Sequence, residues 1–154
     1  MIRRITEIIR IIVVSPETVI ILAIFAASRY GVKIFESVGQ HIIANDKLWE
    51  FIPAIPIGLL TFSVYLAFQV QAPVESSNRE LYDWDLYWAL KYRIIAAIAW
   101  AGLSASCSVT IWIFSRDLSP VVLGLLFYSS VGVSVTVAVT EILALFSLKE
   151  IMTK

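Results

Sequence analysis

The chain is expected to fold as an all-α polytopic membrane protein with four transmembrane helices, and three observations carry that expectation. Of 154 residues, 59% are hydrophobic and only 16% charged, against about 25% charged in an ordinary soluble domain. The uncharged runs 51–74, 94–115 and 118–140 each reach the roughly 20 residues an α-helix needs to cross a ~30 Å hydrocarbon layer. No stretch between them is long enough to build a hydrophobic core of its own. A soluble enzyme, a nucleic-acid binder and a disulfide-stapled secreted domain are thereby excluded. Net charge is zero, so no charged polymer is implied as a partner.

The chain begins with Ile2, Ile5, Ile8, Ile9 and Ile12 at helical spacing and Arg3, Arg4, Glu7 and Arg10 on the other side, the pattern of an amphipathic helix lying in the membrane interface. No small-residue cleavage site follows cleanly, because the Ala26 to Ser28 stretch runs straight into Arg29; the segment is expected to stay attached. Ser15, Pro16 and Glu17 then form a helix-start signal: a hydroxyl N-cap, proline at the first helical position and an acid in the first turn. Either a new helix begins there or one span over about 11–30 is kinked at Pro16.

Residues 31–50 read as the first external connection, a loop of mixed charge holding the only histidine, His41. Trp49 and Phe51 mark the next membrane boundary. The second span, about 51–72, carries Pro53 and Pro56 in its first turns, where the missing amide hydrogens have no helical partner to lose. Ser77 and Glu80 fit a capping box. Nothing after it stops a helix before Asp117, so the third span, about 93–115, carries an extended overhang. The fourth, about 120–147, opens on Ser119 and Pro120 after a connection too short for anything but an antiparallel hairpin. The whole, residues 1–154, is one four-helix domain. Eight of the twelve Lys and Arg residues fall on the side of the N-terminus in this arrangement, which places both termini and the overhang in the cytoplasm, with the protein in the cell (inner) membrane.

Four groups of residues stand out. Ala97, Ala101 and Ala105, with Gly102 and Ser106 beside them, give the third span a small-residue face for close helix packing, within the chain or between copies in a homo-oligomer. On the fourth span, Ser130, Ser134, Ala138 and Glu141 share a stripe. It either lines a wet pathway formed by several copies or bonds back to its own helix carbonyls. Glu17 is an acid at membrane depth, expected to have a partner; it either caps its helix or joins Glu141, Arg10, Lys91 and Arg93 in an ion-pair cluster. The overhang holds Tyr82, Asp83, Trp84, Asp85, Tyr87, Trp88 and Tyr92. These are interfacial anchors or a docking surface, since aromatic residues dominate interface hot spots.

For catalysis there is nothing to assemble. One histidine, one cysteine (Cys107, inside an apolar run) and no metal-ligand spacing leave no nucleophile–base pair, metal site or cofactor site.

Four spans in about 150 residues, with an extended helix entering the third, resemble the small membrane subunits of bacterial phage-defence systems. The layout is similar to that of the Kiwa subunit KwaA and, more loosely, of the RexB exclusion protein. The resemblance is one of hydropathy over the whole chain and carries no motif, so it transfers no residue role. What it implies is an oligomer that senses membrane disturbance during infection and recruits a cytosolic effector, or one that depolarises the membrane. Sensor or scaffold, homo-oligomeric channel, and structural anchor of a larger complex are the three functions this sequence admits.

Overall fold

The computed structural model describes residues 14–45, 51–71 and 87–152. Among them the protein is all-helical: α1 (Pro16–Tyr30), α2 (Val32–Ala44), α3 (Ala54–Gln71), α4 (Tyr87–Phe114) and α5 (Pro120–Met152). The expected amphipathic segment at 1–13 and the overhang up to residue 86 lie outside the described residues.

Local chemistry explains the boundaries. The Thr18 amide donates to Ser15 Oγ (3.3 Å), and the two hydroxyls meet at 3.0 Å, so α1 begins at Pro16 behind a true serine cap. It ends at Gly31, whose amide donates to Ala27 O at 2.8 Å. There the chain bends by 101° into α2. The expected loop over 31–50 is therefore a helix through Ala44. Its buried residues, Phe35, Gly39 and Ile42, recur at helical spacing, while His41 and Lys33 stay outside. Between α4 and α5 the amides of Asp117 and Leu118 both donate to Phe114 O (3.0 and 3.1 Å). That turn delivers Pro120 to the first position of α5.

The helices α4 and α5 are long and apolar enough to cross a membrane, and α1 with α2 would make a third such unit if the bent pair is one span. The helix α3 is apolar but short, with residues 54–68 passing as an apolar helix below span length. Large apolar side chains are exposed on α1, α3, α4 and α5 alike, among them Leu22, Phe68, Leu103, Val139 and Phe146. That outward greasiness would be an aggregation liability in water and is what lipid demands.

The helix α5 is the hub. It packs against each of the other four, α4 also packs against α3, and α1 and α2 touch one another only slightly. At one end Ile42, Ile52, Ile111 and Leu123 form a buried cluster. Further along, Ala97 and Ala101 of α4 meet Val133 and Val137 of α5. Two glycines set the closest approaches. A Cβ on Gly39 would run into the backbone of Pro120, its Cα 2.7 Å away, and one on Gly124 would run into the backbone of Phe35, its Cα 2.9 Å away. The helices α2 and α5 thus cross backbone on backbone, as small residues permit where lipid supplies no hydrophobic drive for association. The edge-on contact of Phe35 and Tyr128 (5.3 Å between centroids) closes the crossing.

Candidate polar site inside the bundle

Antiparallel packing of α1 on α5 sets the site. Gly132 faces Ile20 and Ile24, which brings the first turn of α1 beside residue 140. Glu17, with no exposed surface, is held there by Arg93 of α4 through two parallel hydrogen bonds: Nη1 donates to Oε2 (3.0 Å) and Nη2 to Oε1 (2.5 Å). The fork-on-carboxylate geometry is the strongest pairing these groups can make. Arg93 Nη2 also donates to Thr140 Oγ1 (3.2 Å), and that hydroxyl in turn donates to Val137 O (2.9 Å). The Arg93 side chain is 26% exposed, so the pair sits at the rim of the bundle with its acid inside and its base reaching out.

One residue further along α5, Glu141 is 7% exposed and neither carboxyl oxygen has a hydrogen-bond partner. Ser63 on α3 is fully buried and its hydroxyl is likewise unpartnered. The two groups face one another, with Arg93 and Glu17 as the charges nearby. Glu141, Thr140 and Arg93 line a cavity of about 30 Å³, otherwise walled by apolar residues that include Leu66, Ala97 and Leu145. That is room for about two waters.

A second polar contact lies deeper. Ser104 Oγ donates to Ser130 O (2.5 Å), and because its one hydrogen is then used, Ser134 Oγ donates to Ser104 Oγ (2.5 Å). Ser130 bonds back to Phe127 O (3.1 Å). The stripe of Ser130, Ser134, Ala138 and Glu141 is thus buried within one chain, turned toward α4 and α3. The small-residue face of α4 is split. Ala97, Ala101 and Ala105 are buried in the bundle, while Gly102 has nothing within 4 Å of a built Cβ and Ser106 is exposed, donating to Gly102 O.

Of the aromatic and acidic overhang, Tyr82, Asp83, Trp84 and Asp85 lie outside the described residues. Tyr87 and Trp88 open α4; Trp88 is 56% exposed, with the rings of Tyr87 and Tyr92 at 6.4 and 6.3 Å and Lys91 Nζ 5.6 Å above its centroid. Arg10 is also outside the described residues, and among the described residues Lys91 is engaged with Trp88 rather than with an acid.

Sequence reasoning singled out Glu17, Arg93 and Glu141 but missed Ser63 and Thr140. A serine in the middle of an apolar span is a weak signal taken alone. Among the described residues no cluster of His, Cys, Asp or Glu is arranged to hold a metal. No protein-family model matches the chain, and no curated protein or solved structure matches it either.

Proposed function

We propose that this protein is an integral membrane sensor or scaffold subunit that spans the inner membrane four times with both termini in the cytoplasm, assembles as a homo-oligomer, and recruits or regulates a cytosolic effector. The observation that supports it is the position of Trp88. It is an exposed aromatic flanked by two more rings and a lysine, on the same rigid helix as Arg93 and just over one turn before it. A change in the buried pair Glu17–Arg93 is therefore passed along α4 to an aromatic surface of the kind that anchors protein interfaces. The half-buried Gly102, with open space beside it, and the exposed Ser106 suit a contact with a second copy through close helix approach. The phage-defence resemblance supplies the biological setting of this proposal, with the effector a soluble protein of the same system.

A channel lined by the serine stripe would first have to break the Ser104–Ser134 contact, and a mere membrane anchor would leave the buried charges unexplained. The test is purification of the tagged protein from its native host in mild detergent, with Trp84→Ala and Trp88→Ala introduced together. The expected result is a stoichiometric soluble partner with the wild-type protein and its loss from the variant, membrane insertion being unchanged. A partner retained by the variant refutes the aromatic surface, and ion flux from liposomes holding the protein alone would favour the channel.

A further inference from the structure

Three charged side chains meet where α1, α4 and α5 converge. Glu17 and Arg93 cancel one another, and Arg93 directs both its terminal nitrogens to Glu17 and Thr140. Glu141 is left as a carboxyl group that is more than nine-tenths buried, with both oxygens unbonded and no counter-charge of its own. An ionised carboxylate left so in a low-dielectric interior costs several kcal/mol, so a further positive charge belongs there. The groups that face it can be named helix by helix: Glu17 on α1, the Ser63 hydroxyl on α3, Arg93 on α4 and Thr140 beside it on α5. Lys91 is held over Trp88, and α2 packs at the opposite end of α5.

The chemistry of these groups selects the cation. A hard metal ion needs a full shell of oxygens, and here only the two Glu141 oxygens and Ser63 Oγ are uncommitted. Thr140 Oγ1 already donates to Val137 O and accepts from Arg93, and the guanidinium in the cavity wall repels a metal. A proton needs one oxygen. Bound to Glu141, it turns the carboxyl into a donor: given to Ser63 Oγ, that hydrogen joins the two orphaned buried groups, and given to a water in the 30 Å³ cavity it satisfies Glu141 alone. We propose that Glu141 is an exchangeable proton-binding site, enclosed between α3, α4 and α5 and supplied with protons by water in the cavity at the rim where Arg93 reaches the surface.

The binding step is a transfer of H⁺ from water to one carboxylate oxygen of Glu141, and release reverses it. Once the proton leaves, Arg93 stands between two carboxylates and Glu141 competes with Glu17 for it. The site does not depend on the aromatic docking surface and stands or falls separately.

The test is infrared difference spectroscopy of the full-length protein in proteoliposomes at neutral pH. Exposed carboxylates are ionised there, so a protonated-carboxyl C=O band reports a buried acid. The expected result is such a band in the wild type, lost completely in Glu141→Gln. Ser63→Ala keeps the band and shifts its frequency, which assigns it to Glu141 even if Glu141→Gln fails to fold. No band in the wild type, a band unchanged in both folded Glu141→Gln and Ser63→Ala, or a band that NaCl removes and choline chloride does not, overturns the proposal. The last of these outcomes would mark a sodium site.

Discussion

The ion pair between α1 and α4 is lopsided, and that makes its energetics predictable. Glu17 is fully enclosed whereas the Arg93 side chain is 26% exposed. Replacing Arg93 by Met leaves the buried Glu17 carboxylate with no counter-charge; breaking a buried pair in this way costs about 3–5 kcal/mol. Replacing Glu17 by Gln removes less. The amide oxygen still accepts one of the two guanidinium hydrogen bonds, and Arg93 can turn outward to the aqueous rim or across to Glu141. The loss is one charge-assisted bond, about 1.5 kcal/mol. The gap between the variants, roughly 1.5–3.5 kcal/mol, is about a 10- to 400-fold difference in the folded-to-unfolded ratio. Glu17→Met combined with Arg93→Met removes both charges and should lie within about 1 kcal/mol of the wild type, since an apolar pair often replaces a buried salt bridge without penalty. Reversible unfolding in mixed micelles, followed by far-UV circular dichroism, measures all three. Glu17→Gln as destabilising as Arg93→Met, or a double variant worse than either single one, would refute the reasoning.

Two further predictions concern packing. Gly39→Ala and Gly124→Ala each place a methyl group into the backbone of a neighbouring helix and should each cost at least about 2 kcal/mol in the same assay. Gly58→Ala meets open space and should be neutral or stabilise by up to about 1 kcal/mol through helix propensity; a uniform response across the three sites would contradict the crossing geometry. Ser104→Ala removes a hydroxyl that joins Ser130 O to Ser134 Oγ and should cost about 0.6–1.7 kcal/mol, the range for hydrogen bonds between membrane helices, as read from the shift of the unfolding midpoint.

The parts of this fold that are local in sequence were readable in advance. Ser15 and Pro16 announced the start of α1, Ser119 and Pro120 the start of α5, and the apolar runs the two longest helices, because caps and hydropathy act over one or a few turns. The helix α2 was missed because Lys33, Glu36 and His41 made residues 31–50 look like a solvated connection, although Phe35, Val38 and Ile42 already repeat at helical spacing. What no single chain reading supplies is the partner across the bundle. Glu17 and Glu141 were equivalent candidates for Arg93 until the antiparallel placement of α1 on α5 gave the fork to Glu17 and left Glu141 facing Ser63. The crossing of Gly39 on Pro120 was hidden for the same reason, since it joins residues about 80 positions apart and depends on backbone proximity alone.

The hub position of α5 has a bearing on how the protein is made. The principal packing surface for α1 and α2 is the helix synthesised last among the described ones, and its first residue follows the end of α2 by about 75 positions. At ~5–20 residues per second of synthesis, the earlier helices wait roughly 4–15 s before that surface exists. Glu17 has no native partner until Arg93 is made, about 50 positions after α2 ends, and until α5 exists the kinked arm must be sheltered by the insertion machinery or by lipid headgroups. A nascent chain stalled before residue 120 should therefore be a target for membrane proteases, and its lifetime a direct reading of how well that shelter works.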